Sequence, residues 1–169
     1  MRQTRDSTVI ADVLNSLAIS KMENQKLDEA ISLYEEALAI RRRIYGDVHQ
    51  TTAQALENLA NAWYQKREYP RSLALLDEVL RIREALFGPS SFLANRTRFN
   101  MAAVARDNRE FARAIVLIDT ALVSFRKQLG DESLDVASAY SMRGACRKGL
   151  GDFQGALADL SLFLSERPQ

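Results

Sequence analysis

The sequence predicts an all-α protein built as an array of helical hairpins, and three observations carry that prediction. Only three prolines and seven glycines occur in 169 residues, whereas alanine, leucine, glutamate and arginine are plentiful, a balance that suits long helices with few irregular segments. Gly46, Gly88 and Gly130 recur at intervals of 42 residues, each behind a large apolar residue, Tyr45, Phe87 and Leu129. Between these glycines the apolar residues follow the 3.6-residue period of amphipathic helices.

The 42-residue step organises the whole chain. From Ala18 it reaches Ala60, Ala102 and Gly144, all small; from Leu27 it reaches Tyr69, Phe111 and Phe153, all large. Ala30, Ser72, Ala114 and Ala156 are small again, and Leu38, Leu80, Leu122 and Leu164 are leucine throughout. Four units follow, approximately 11–52, 53–94, 95–136 and 137–169 of a single domain, behind a flexible segment at 1–7. In the first unit, Val13, Leu14, Leu17 and Ala18 mark the packed face of a first helix. Leu27, Ala30, Ile31, Tyr34, Ala37 and Leu38 mark that of a second. The next first helix carries Ala55, Leu56, Leu59 and Ala60, and the third unit's second helix repeats the stripe as Phe111, Ala114, Ile115, Ile118, Ala121 and Leu122. Small residues at fixed places let two backbones approach, and large ones opposite fill the remaining volume.

The glycines close each second helix with a positive-φ residue at little steric cost. Polar residues able to cap the next helix follow: Asp47 or Thr51, Ser90 or Ser91, and Asp131 or Ser133. His49, the only histidine, lies in this punctuation and reads as a structural or exposed loop residue, since no metal-binding or catalytic partner stands near it.

Charge and motif content narrow the function. Lys plus Arg total 23 against 22 Asp plus Glu, so no positive excess exists to draw the chain to nucleic acid or an anionic membrane. The chain has no apolar run long enough for membrane insertion. A lone cysteine, Cys146, and an N-terminus without a signal-like apolar run point to an intracellular, cytoplasmic compartment. Cys146 reads as a buried, inert thiol, and Trp63 as core. The run Arg41–Arg43 reads as a solvated helix end, and Glu35, Glu36, Asp77 and Glu78 as solvated charge. Phosphate-binding, paired-cysteine and nucleophile-turn motifs are missing, so no catalytic residue, metal ligand or cofactor is expected.

Leu56, Leu59, Ala60 and Trp63 in the second unit, and Leu14, Leu17, Ala18, Ala30, Tyr34 and Ala37 in the first, fall on the W-x2-L-G-x2-Y…A…F pattern. Tyr140, Gly144, Ala156 and Pro168 do so in the fourth. The chain therefore resembles the tetratricopeptide repeats. Its period of 42 rather than 34, and the joints GDVHQTTA, GPSSFLA and GDESLDVA, resemble the long repeats of kinesin light chains and of bacterial regulatory proteins. The resemblance implies a right-handed α-solenoid of eight helices whose first helices line a concave groove, and a non-catalytic scaffold or adaptor that binds a peptide or helix of a partner protein. The helical wheel puts Glu57, Asn58, Asn61 and Tyr64 on that side of the second unit, and Arg96, Phe99, Asn100 and Arg106 on that of the third. Asparagine amides there could pair with a peptide backbone whatever its side chains; the alternative for them is solvation or hydrogen bonding between repeats. An alternative role is a homo-oligomer or a docking module of a larger protein, because Phe163 and Leu164 still need cover.

Overall fold

In the computed structural model, residues 2–165 are described, with side chains from 6 to 164. They form eight helices: α1 Arg2–Glu23, α2 Leu27–Tyr45, α3 Gln50–Gln65, α4 Tyr69–Phe87, α5 Phe92–Asp107, α6 Phe111–Leu129, α7 Leu134–Gly149 and α8 Phe153–Ser165. The backbone divides into two compact units, Met1–Leu86 and Phe87–Gln169. Residues 2–7, expected as a flexible segment, continue α1 as helix. Met1 and the repeat-closing Pro168 lie outside the described residues.

In the first unit α1 packs on α2 and α2 on α3. Their shared core contains Ala18, Met22, Ala30, Ile31, Tyr34, Leu38, Ala53, Leu56 and Leu59, together with Val79 and Ile82 from α4. The second unit repeats the arrangement, α5 on α6, α6 on α7 and α7 on α8, around Ala102, Ala114, Ile118, Leu122, Phe125, Val136 and Tyr140. One part of the stripe read from the sequence is not packed: Val13 and Leu17 on α1 are exposed.

The joints show how closely the repeat is kept. Gly46 and Gly130 close α2 and α6 at φ 82° with ψ 177° and 163°, an extended, positive-φ region open essentially to glycine, rather than the left-handed helical well. The caps of α5 and α7 are Ser91 and Ser133, whose hydroxyls accept from the N–H groups of Ala94 and Asp135. On α3 neither Asp47 nor Thr51 caps. His49, in the same register place, accepts the Thr51 N–H on Nδ1 at 3.1 Å while its ring stacks on Tyr45. Its role is structural, and an imidazole serves here where serine serves the other two repeats.

The turns inside the hairpins carry a second periodic feature. Gln25, Arg67, Arg109 and Gly151 all have positive φ, 58°, 64°, 63° and 83°, and stand 42 residues apart. Around the first three, the N–H of the following residue reaches back five positions: Lys26 to Lys21, Glu68 to Trp63, Glu110 to Ala105. These are Schellman closures of α1, α3 and α5. A side chain in the left-handed well costs about 1–2 kcal/mol, partly offset by the greater freedom glycine brings to the unfolded chain. Arg67→Gly is therefore expected to stabilise the protein by about 0.5–1 kcal/mol, read as a higher urea midpoint with an unchanged m-value.

Candidate functional site

Each unit carries its own candidate surface, on α3 in the first and on α5 in the second. On α3, Gln54, Asn58, Asn61 and Gln65 follow one another at intervals of four, three and four residues, so their side chains form one stripe along the helix. Gln54, Asn61 and Gln65 are exposed and Asn58 is half-buried. All four are uncharged amides, each with donors and an acceptor. Asn58 already donates Nδ2 to Oδ1 of Asn15 on α1 at 2.8 Å, a bond between successive first helices. This is the inter-repeat hydrogen bond that the sequence left open as the alternative to ligand contact.

Glu57 and Tyr64 flank the stripe and are not equivalent. Glu57 is half-buried and accepts two hydrogen bonds, at 3.1 and 2.7 Å, from Arg83 of α4, whose side chain is fully buried. The fork geometry of the guanidinium suits both carboxylate oxygens, so Glu57 holds the hairpin together. Tyr64 is half-buried, its ring 5.9 Å from that of Tyr69. Trp63, read as core, sits half-buried at the edge of the cluster, with the Arg71 guanidinium 4.4 Å from its ring centroid.

On α5, Arg96 is exposed, while Phe99, Asn100 and Arg106 are half-buried. Phe99 packs edge-on to Phe125, centroids 5.8 Å apart, which ties its ring to the α6 core. Arg106 pairs with Asp107 next to it, Nε to Oδ1 at 2.8 Å. Asn95 and Thr97 of α5 are buried; Thr97 donates to the Leu93 carbonyl. Asn61 and Arg96 are thus the members of the expected set that stand most open to solvent.

Several charges behave differently from their sequence reading. Arg41 is buried and pairs with Asp12 of α1 at 3.1 Å, and Arg42 pairs with Glu78 of α4 and with Asp47. Only Arg43 of that run is a solvated helix end, because the long α2 carries Arg41 and Arg42 alongside neighbouring helices. Glu78 is accordingly not a free surface charge, whereas Glu35 and Glu36 are exposed. Arg143 and Arg147 of α7 converge on the fully buried Asp159 of α8, at 2.6 and 3.0 Å. Arg143 also reaches Asp119 of α6 at 2.6 Å. Burial alone would lower the Arg143 pKa; its hydrogen bonds to Asp159 and Asp119 and their negative charge outweigh that and raise it above the ordinary arginine value. Cys146 is buried, and burial pushes its thiol pKa up, away from the thiolate. Among the described residues no cluster of three histidine, cysteine, aspartate or glutamate side chains could hold a metal ion, and no helix is long and apolar enough to cross a membrane.

The comparisons agree with this architecture. The tetratricopeptide repeat family matches residues 9–85. No curated protein sequence matches the chain. Among solved structures, BtubC (BKLC) from P. vanneervenii superposes with a TM-score of 0.84 at 23% identity, over 95% of this chain and 64% of that one. This chain thus spans less than two thirds of that protein's length. A putative kinesin light chain of Podosopora anserina with nearly identical TPR-like repeats gives a TM-score of 0.79 at 18% identity, over 92% of this chain and 74% of that one. MamA gives 0.67 at 15%, over 92% and 77%. These likenesses extend the repeat fold beyond residue 85, across both units. With eight helices in 42-residue pairs among the described residues and an internal register that places small against large residues, the chain has an all-α helical-repeat fold like that of these structures, and its residues 9–85 match the tetratricopeptide repeat family.

Proposed function

We propose that the chain is a non-catalytic protein-interaction scaffold whose first helices hold a peptide or helix of a partner protein. The observation that carries this reading is the amide stripe of α3, Gln54, Asn58, Asn61 and Gln65, which is uncharged and exposed at Gln54, Asn61 and Gln65. Amides in a row can meet successive main-chain N–H and C=O groups without selecting side chains. Tyr64 is the half-buried edge of that surface on α3; in the second unit, taken by itself, Arg96 on α5 would supply charge preference for a carboxylate, with Phe99, Asn100 and Arg106 as half-buried edges. Glu57 and Asn58 support it through Arg83 and Asn15. The tetratricopeptide fold is generally a scaffold without catalysis, and the cytoplasm suits a module of this kind.

The test is capture of peptides from a proteome-derived library by the purified chain. Enrichment of a short common motif is expected, reduced about tenfold or more in Asn61→Ala/Arg96→Ala, the loss of roughly 1.4 kcal/mol for two contacts. Both side chains are exposed, so the double variant should unfold at the same urea concentration as the parent. Capture that ignores both substitutions would remove this surface from consideration.

A further inference from the structure

One pair of positions in the hairpins, near the end of the first helix and the start of the second, is filled in four different ways. It recurs every 42 residues as Lys21 and Glu29, Trp63 and Arg71, Ala105 and Arg113, Arg147 and Gly155. Lys21 meets Glu29 as an ion pair at 2.5 Å, and Arg147 donates to the Gly155 carbonyl at 3.2 Å. Arg113, whose partner position holds only an alanine, pairs with Glu110 three residues before it at 3.0 Å. In each of these three hairpins the cation is matched by an oxygen of the chain itself.

The second hairpin departs from that rule. Arg71 has Glu68 three residues before it, just as Arg113 has Glu110, yet its guanidinium lies on Trp63, 4.4 Å from the ring centroid. Arg71 is exposed, and among the described residues it makes no hydrogen bond or ion pair. Attraction to the face of an indole uses no N–H donor, so the fork of the guanidinium is left for an acceptor from outside. Lys66 stands 5.5 Å from the same ring centroid but is matched by Asp28 of α2. Arg67 beside it is exposed and likewise unpaired. The first turn of α4 holds no acidic side chain, whereas that of α2 holds Asp28 and Glu29. Arg71 therefore sits at the positive end of a helix dipole, which disfavours a cation and favours an incoming anion.

We propose that the turn between α3 and α4 is a docking site for an acidic peptide segment, whose carboxylate is taken by the Arg71 guanidinium held on Trp63, with Arg67 adding attraction at longer range. The charge count favours single carboxylates over a polyanion. Asp28 already matches Lys66, and the exposed Glu68 lies between Arg67 and Arg71 in sequence, so the turn offers two unpaired cations and one repelling carboxylate. Anionic membranes and nucleic acid draw on longer runs of cations. Contact with Trp63 orders the arginine before a ligand arrives, which lowers the entropy cost of binding. Trp63 is two residues from both Asn61 and Gln65, and side chains so spaced do not share a helix face. The site thus lies off the amide stripe of α3, and the proposal does not rest on peptide binding there.

The chain's one tryptophan reports on this site directly. Its emission is followed while the full chain is titrated with a capped peptide of alternating glutamate and serine, with the same peptide carrying glutamine for glutamate, and with inorganic phosphate. The acidic peptide is expected to shift the emission with half-saturation at or below about 1 mM, and the other two to leave it unchanged over that range. Arg71→Gln should weaken the acidic peptide about tenfold or more, and Arg71→Lys, which keeps the charge and loses the fork, should fall between. Arg109→Gln, in the corresponding turn of the second unit, should not change the affinity. Arg71 and Arg109 are exposed, so circular dichroism of all three variants should match the parent. An acidic peptide that leaves the emission unmoved would overturn the proposal, as would an affinity indifferent to Arg71→Gln. Equal weakening by Arg109→Gln would reduce the effect to general charge attraction, and phosphate binding more tightly than the peptide would make this a phosphate site; either result also overturns it.

Discussion

Asp159→Ala is expected to cost about 3–5 kcal/mol, the penalty for removing one partner from a buried ion cluster. Asp159 is fully buried and receives hydrogen bonds from Arg143 and Arg147. Without it, two guanidinium groups packed against α8 lose their common acceptor. Arg143 cannot escape by giving up its proton, because an arginine stays charged at any pH at which the chain is folded; it would have to swing toward solvent or rely on Asp119 alone. Amide hydrogen exchange should report the loss as faster exchange along α7 and α8. Asp159→Asn, which keeps an acceptor of similar shape, should recover part of it. Unchanged exchange in Asp159→Ala would show that water already satisfies both arginines.

The second large effect is expected at Glu57. Glu57→Ala should cost about 3 kcal/mol, at the low end for a buried pair because the carboxylate is partly open to solvent. Arg83 then remains as a buried cation between α3 and α4. Replacing both, Glu57→Leu with Arg83→Met, should restore most of the stability, since apolar side chains of similar volume tolerate such a site. The chain has one tryptophan, and Trp63 lies on α3, so its fluorescence during urea unfolding reads this unit directly. A double-mutant cycle separates the pair energy from packing changes. Glu57→Ala should also weaken peptide capture, but through loss of α3, and the double replacement should return it. Weak capture by a fully stable double variant would instead make Glu57 a ligand contact.

The architecture was legible because the repeat prints it three times over. A 42-residue register located every joint, and Ser91 and Ser133 were among the cap residues it offered. His49 was assigned to structure for want of partners, while its acceptor role went unseen because histidine is not an ordinary cap residue. The positive-φ turns at Gln25, Arg67 and Arg109 were hidden by their residue types; Gly151 in the same register was the signal that could have found them. Val13 and Leu17 teach a different point. A repeat pattern marks positions by their register, and register alone does not decide whether such a position is buried, as the exposed Val13 and Leu17 show. Arg41, read as a solvated helix end, was misjudged for a related reason. A helical wheel sorts residues by direction, yet a long arginine can cross to a carboxylate on the next helix and bury its stem on the way.

The hydrogen bonds and ion pairs named between helices bridge at most 43 residues, from Asn15 to Asn58. That short reach has a temporal consequence. A ribosome adds about 5–20 residues each second, and helices and local hairpins form in microseconds. Every partner of Asp12, Asn15, Asp28, Arg42 and Glu57 named in the first unit has been synthesised once Arg83 is in place. The leading hairpins can therefore assemble on the nascent chain, in order, while the segment from Phe87 onward is still being translated.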